Sequence, residues 1–259
     1  VLYHATNKGV GGAVITGYRQ AIVDQCDVVA KLDGDGQMDG ALLSHFVLPI
    51  IKGQADYTKG NRFHVIENLK MMPMSRIIGN GLLSFVTKIS SGYWHVFDPT
   101  NGYTCISVAL LKLLPLDKIS NGYFFESDMM FRLNIVRAVI LDVPMIGVYG
   151  EEKSNLSFFK NIFPFMKGHI RNFFKRLMYN YFLRNFVLAS VELVFGLILL
   201  SFGVAFGLYR WGEGIVMGHA NTTGTVMIAV LPIILGFQLL MSFLNYDVAN
   251  QPRRPISGV

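Results

Sequence analysis

The sequence predicts an α/β domain followed by a membrane-associated C-terminal part, and three observations carry that expectation. Short β-prone runs alternate with helical patterns through residues 1–157. One of those runs ends in glycine-punctuated carboxylates, VVAKLDGDGQMDG over residues 28–40. Two long apolar spans then follow a basic stretch near the C-terminus.

Taken in order, Val1 to Tyr3 read as the end of a strand, and Asn7 caps a glycine-rich NKGVGGA leading into a helix over about 10–25. The GxGxxG phosphate cradle is not met there, so close packing of this helix on the sheet is the expected use of the glycines. A buried strand (Val28, Val29, Ala30, Leu32) ends at Asp33, Asp35 and Asp39. Residues 40–52 read as a helix, and Ala55 to Thr58 as a strand running into KGNRF. A longer helix over 69–90, after Pro73, carries Arg76 and Asn80 at i, i+4 on one face. YWHVFDPTNGY (93–103) reads as an aromatic strand end with a turn, 104–114 as a helix, and Glu126 and Asp128 open another helix in GYFFESDMMFRL. Val139 to Val143 form the last strand, giving a mixed or parallel sheet.

Composition sharpens the division. With 52% hydrophobic and 15% charged residues, the chain is too apolar for an ordinary soluble protein. The net charge of +6 is local: residues 1–157 balance 14 basic against 14 acidic side chains, and the excess lies in 158–185. That segment abuts apolar sequence, so anionic lipid headgroups rather than nucleic acid are the expected partner. Within it Ile162, Met166, Ile170, Phe173, Leu177 and Tyr181 form an apolar stripe, with Lys167, Arg171 and Lys175 on another face. This is the pattern of an interfacial helix, the alternative being a helix docked on the domain core. The spans 186–208 and 226–244 would give about 34 and 28 Å of helix, enough for a hydrocarbon core. The charge bias places the domain and both termini in the cytoplasm, with 209–225 outside. Cys26 and Cys105 have no metal-like spacing and read as reduced thiols.

Carboxylates one small residue apart at a strand end suit a hard dication such as Mg²⁺ or Mn²⁺. A solvating acidic turn is the alternative. An EF-hand is excluded because Met38 and Ser44 stand where Gly and Glu would be needed, and Gln37 replaces the hydroxyl of a DxDxT phosphohydrolase.

In their order and spacing, NxGxGxA, DGDGQ, KGNRF, DPTNGY and FFESD followed by paired spans resemble the family 2 glycosyltransferases, and within them the polyprenyl-phosphate group typified by dolichol-phosphate mannose synthase. The resemblance implies a GT-A, Rossmann-like nucleotide-diphospho-sugar transferase domain over 1–157, an interfacial helix over 158–185 and a transmembrane hairpin over 186–259. It implies that Asp33, Asp35 and Gln37 hold the Mg²⁺ or Mn²⁺. Arg62, Arg76 and Asn80 would grip the acceptor lipid's phosphate, and Lys8, Lys153 and Ser154 would contact the donor. Asp98 would orient the sugar or act as base, and Glu126 and Asp128 match the family's catalytic acidic pair. The implied partners are a nucleotide-diphosphate sugar and a polyprenyl phosphate, with room for a homo-oligomer in the bilayer. The family's DDGS-like segment has no counterpart in residues 1–32, so the domain reads as N-terminally truncated. Two alternatives stand beside this reading: a family 2 enzyme with another glycolipid or polysaccharide acceptor, and a catalytically silent membrane scaffold. The QxxRW of processive synthases does not occur, since Arg210-Trp211 lacks the Gln.

Overall fold

In the computed structural model, residues 1–36, 38–64, 74–146 and 158–256 are described, without the side chains of 75, 76 and 158–161. The chain divides into two units, Val1–Arg176 with Gln251–Val259, and Leu177–Asn250. Gln37, Lys153 and Ser154 lie outside the described residues, as does the side chain of Arg76.

Among the described residues of the first unit, four strands form one mixed sheet: β1 (Val28–Lys31), β2 (Tyr57–Asn61), β3 (Thr104–Ser107) and β4 (Ile140–Pro144), in the order β1-β3-β2-β4. β2 and β4 are parallel, and β3 runs antiparallel to both β1 and β2. The helix expected over 104–114 is therefore corrected. Thr104, Cys105 and Ile106 take the central strand, as β-branched residues favour. Ser107 then accepts the Leu110 N–H and starts only a short helix, α4 (Val108–Leu111). No strand lies within the described residues 1–27 or 93–103.

The remaining helices of this unit are α1 (Gly9–Val23), α2 (Leu43–Ile51), α3 (Met74–Ser91), α5 (Phe125–Ile135) and most of α6 (Phe158–Met178). Strand alternation splits the core. Val29, Tyr57, Ile106 and Ile140 share one cluster with Ile15 and Tyr18 of α1 and Met129 and Leu133 of α5. Val28, Cys105 and Val143 point the other way, to Phe46 and Ile50 of α2, where the Phe46 and Tyr103 rings stack 3.9 Å apart.

Asn7 does not take the cap expected of it: the N-cap of α1 is Lys8, without a side-chain cap, and Asn7 Oδ1 accepts the Gly9 N–H at 2.8 Å in a turn leading into the helix. The glycines behind it do pack closely, but on the loop before α5 rather than on the sheet. A Cβ on Gly11 would stand 2.2 Å from the Ser120 carbonyl oxygen, and Gly12 N–H donates to the Asn121 carbonyl at 3.2 Å.

α6 docks by an unusual face. His169, Asn172 and Arg176 are buried, while Phe163 and Phe174 are 82% and 64% exposed and Ile162, Met166 and Ile170 are exposed with them. His169 Nδ1 pairs with Ser90 Oγ at 2.8 Å, Asn172 Nδ2 donates to Asp128 at 3.0 Å, and Arg176 Nη2 donates to the Ile89 carbonyl at 2.8 Å. The helix is thus docked on the domain core, the alternative that the sequence left open, and its apolar side chains are exposed on the other side. Of the rest of the expected apolar stripe, Phe173 is half-buried and Leu177 and Tyr181 are buried.

The second unit is a hairpin of α7 (Leu188–Met217) and α8 (Thr223–Ala249), preceded by a π-helical turn over Tyr179–Arg184. Both helices outrun their apolar spans, and Tyr209, Arg210 and Trp211 continue α7 instead of starting a loop. Helical hydrogen bonds persist until left-handed Gly218 ends α7, and the Thr222 hydroxyl caps α8. Only 11% of each apolar window is buried, unlike the core helices of a soluble globule. The backbones touch at glycines: a Cβ on Gly236 would stand 2.6 Å from Leu200 N and 2.9 Å from the Gly196 carbonyl oxygen. Glu192 faces its neighbour, accepting from Ser242 at 2.8 Å.

Two outcomes follow. Gly236→Leu should force the hairpin apart and cost about 1–3 kcal/mol, read as a lower thermal midpoint in detergent. Burial pushes His169 down to about 4. Its docked ring therefore refuses a proton that the free ring takes below its ordinary value of about 6.5. The α6 docking should be pH-independent above that value and weaken by as much as ~3 kcal/mol as pH falls toward 4. Hydrogen exchange in Phe158–Met178, corrected for intrinsic rates, should rise between pH 7 and 5 in the wild type and not in His169→Gln.

Candidate active site

The topology gathers the site. β1, β2 and β4 run one way, so the segments after β1 and β2 leave from the same edge of the sheet. Because β3 runs against them, the loop before it, residues 98–103, arrives at that edge too. Strand ends of this kind are where open α/β sheets hold their ligands.

Asp33 stands just beyond the end of β1, after Leu32, and its side chain is 38% exposed. Its carboxylate lies against the Gly102 backbone: a Cβ there would stand 1.9 Å from Asp33 Oδ2. Asp35 is exposed on the glycine turn, where Gly36 takes a φ of +74°. Asp39 is spent on structure, accepting the Ala41 N–H at 2.9 Å to cap the turn before α2.

Lys31, not singled out by the sequence, ties the site together. Its side chain is only 8% exposed, with Nζ 3.0 Å from Asp33 Oδ1 and 3.2 Å from Glu126 Oε1. Strand register explains its orientation. Lys31 pairs with Thr104, Thr104 with Lys59 and Lys59 with Asp142, so one row across the sheet carries two ammonium groups and a carboxylate on one face. Lys59 is fully buried, donates to the Asn101 carbonyl at 2.5 Å, and is pushed down to about 8 by desolvation, against the pull of Asp98 and Glu126. Asp142 is pushed up by burial, against the Asn61 amide that donates to it at 2.8 Å.

Arg62, in a turn directly after β2, meets Asp98 as a two-pronged pair, Nε to Oδ2 at 2.7 Å and Nη2 to Oδ1 at 2.9 Å. Asp98 is wholly buried, and the Asn101 amide donates to it at 3.4 Å. A carboxylate held this way is a fixed anchor for a guanidinium. The loop 98–102 thus touches both the Arg62 anchor and Asp33.

The acidic pair of α5 divides. Residues two apart on a helix point about 200° apart, and Glu126 reaches Lys31 while Asp128 faces away. Asp128 accepts from Ser120 N–H at 3.0 Å, Arg132 Nε at 3.1 Å and Asn172 Nδ2 at 3.0 Å, making it the latch for α6. Asn80 is half-buried on α3, and Lys8 is exposed just before α1.

Among the described residues, no three His, Cys, Asp or Glu side chains group as a protein-only metal cage. The donor set at the β1 edge fits Mg²⁺ or Mn²⁺ of another kind, held by one or two carboxylates with the remaining oxygens supplied by a substrate's phosphates. Of the residues that sequence reasoning missed, Lys31 left one signal, a lone cation inside the apolar run before the carboxylates. Lys59 and Gly102 gain their places from strand pairing, which no spacing reveals. Gly102→Ala should drive the Asp33 carboxylate from its seat and cost about 10-fold or more in Mn²⁺ affinity with little loss of fold, read by Mn²⁺ titration beside circular dichroism.

Residues 1–114 match the family model described as Glycosyl transferase family 2. The chain is 32% identical over 148 residues to UDP-N-acetylglucosamine–dolichyl-phosphate N-acetylglucosaminyltransferase of Methanococcus voltae, covering 57% of this chain and 59% of that protein. It is 31% identical over 152 residues to undecaprenyl-phosphate mannosyltransferase of Micrococcus luteus, covering 58% and 61%. The chain thus spans about three fifths of the length of the curated relatives it matches. A partial structural likeness to glucosyl-3-phosphoglycerate synthase from Mycobacterium tuberculosis in complex with uridine-diphosphate has a TM-score of 0.44 at 16% identity, over 67% of this chain and 56% of that one. The sequence likeness is narrower than the whole-chain resemblance expected, and Glu126 lies beyond the family match. On that match, the segment carrying Asp33, Arg62 and Asp98 is a glycosyl transferase family 2 domain.

Proposed function

We propose that this chain transfers a hexose from a nucleotide-diphosphate sugar to a polyprenyl phosphate at the cytoplasmic face of a membrane, with inversion at the anomeric carbon. The observation that carries the reading is the meeting, at one sheet edge, of a carboxylate exposed enough to take a cation (Asp33) and an arginine aimed by a buried carboxylate (Arg62 on Asp98). The relatives' names, one a dolichyl-phosphate and the other an undecaprenyl-phosphate transferase, support the acceptor class.

In this reading a phosphate oxygen of the lipid bonds to the anomeric carbon as the bond from that carbon to the donor's diphosphate oxygen breaks, and the nucleoside diphosphate leaves. A Mg²⁺ or Mn²⁺ bound through Asp33 and Asp35 would offset the charge growing on that leaving group. Arg62 binds the acceptor phosphate, its fork held in register by Asp98. Arg76 and Asn80 extend that grip, and Lys8, Lys153 and Ser154 serve the donor. The acceptor phosphate has a second pKa of about 6 and is largely ionised at neutral pH. Asp98 therefore acts here by position rather than as a base. Asp128, turned to α6, has a structural role in the same scheme.

The membrane part of the reading rests on surface chemistry. Ile162, Phe163, Met166, Ile170 and Phe174 present an apolar side beside Lys167, Arg171 and Lys175, the combination suited to acyl chains and anionic headgroups. On α3 a second row, Met74, Ile78, Leu82 and Phe85, is also exposed.

The test is to offer the chain in detergent a panel of radiolabelled nucleotide sugars with polyprenyl phosphate and Mn²⁺. Label should enter the lipid extract with one donor, and no labelled lipid with any donor would overturn the proposal. Asp33→Ala should lower transfer by roughly 10²–10³-fold. Arg62→Ala should raise KM for the lipid by about 10–100-fold, with a smaller effect on KM for the donor.

A further inference from the structure

Lys31 stands between two carboxylates that come from distant parts of the chain. Ala30 before it and Leu32 after it are exposed, while the lysine itself is buried on the face that packs against α1 and α5. Burying an ammonium costs several kcal/mol unless ionic partners offset the loss of water. Here Asp33 at 3.0 Å and Glu126 at 3.2 Å provide them. The same nitrogen therefore touches the residue read above as a metal ligand and the first-turn acid of α5. No second cation shares those two carboxylates among the ion pairs of the described residues. Its neighbour in the row, Lys59, is directed to the Asn101 carbonyl instead.

We propose that Lys31 is a positioning residue: its ammonium ties Glu126 to the β1 edge and holds the place of the divalent cation at Asp33 until that cation arrives. The inference rests on the reading of Asp33 as a metal ligand. A dication on Asp33 and an ammonium on the same carboxylate repel each other, so loading the metal shifts the lysine's charge toward Glu126. Metal affinity and the placement of Glu126 are thereby coupled. The coupling has a sign that a structural role lacks. Removing the ammonium frees Asp33 and should tighten metal binding, whereas removing the Glu126 charge leaves Lys31 concentrated on Asp33 and should weaken it.

The experiment follows free Mn²⁺ by electron paramagnetic resonance as it is titrated onto the full chain in detergent, with UDP and in parallel with GDP. Lys31→Met should bind Mn²⁺ about two- to five-fold more tightly than wild type, the range of a partly exposed ion pair. Its sugar transfer should fall on the order of ten-fold or more because Glu126 loses its anchor. Lys31→Arg should restore wild-type Mn²⁺ affinity. Glu126→Gln, which keeps the side-chain shape, should bind Mn²⁺ two- to five-fold more weakly by about the same ion-pair magnitude, and it keeps the test decisive if Lys31→Met does not fold. If Asp33→Asn abolishes Mn²⁺ binding while Lys31→Met and Glu126→Gln leave it unchanged, the Lys31 proposal falls and the metal site stands. If wild type retains no Mn²⁺ with either nucleotide, or Asp33→Asn binds it equally well, the reading of Asp33 falls and this proposal with it.

Discussion

The constraint on which the rest of this molecule depends is the antiparallel insertion of β3 between β1 and β2. A central strand running against its neighbours reverses which of its ends meets the edge where they finish. The loop before β3 is therefore delivered to the place where β1 gives Asp33 and β2 gives Arg62. Were β3 parallel, Asp98 and Gly102 would lie at the opposite edge, and neither Arg62 nor Asp33 would have its seat. Phe46 stacked on Tyr103, together with the Lys59 bond to the Asn101 carbonyl, holds that loop from both faces of the sheet.

The site also illustrates how buried charge is kept tolerable. Lys31, Lys59 and Asp142 share one row, and the carboxylates of Asp98 and Glu126 come from a loop and a helix outside it. Each ammonium is buried, so each demands a partner within hydrogen-bond reach. Lys31 meets that demand with two carboxylates, and Lys59 with a carbonyl and a proton affinity lowered by desolvation. Such a row is poor at maximising stability, since well-packed apolar residues would do as well without the cost of removing charge from water. What it does is fix where the carboxylates stand.

The same economy is inverted in α6. A soluble helix buries its apolar side and wets its polar one. This helix buries His169, Asn172 and Arg176 against the domain, uses Asp128 as the latch, and leaves Phe163, Ile170 and Phe174 outward. That arrangement is costly in water, and the lipid boundary proposed for this helix is a setting that would relieve the cost.

Composition, hydropathy and motif order determined the α/β class, the carboxylates at the end of β1, the basic amphipathic segment and the two apolar helices, because each is written in local spacing. Local pattern failed at 104–107, where the run TCISVALLKLL reads equally well as helix and only pairing on both sides makes it a strand. It failed again at α5, where Glu126 and Asp128 look like one acidic pair although helical geometry sends them to different partners. Lys59 and Gly102 were decided by the tertiary structure alone, and Lys31 left only the signal of a lone cation in an apolar run, because their partners come from parts of the chain far apart in sequence. A sequence reports which groups are present and how they repeat. The sheet decides which of them meet, since that depends on strand direction and order, and neither has a local signal.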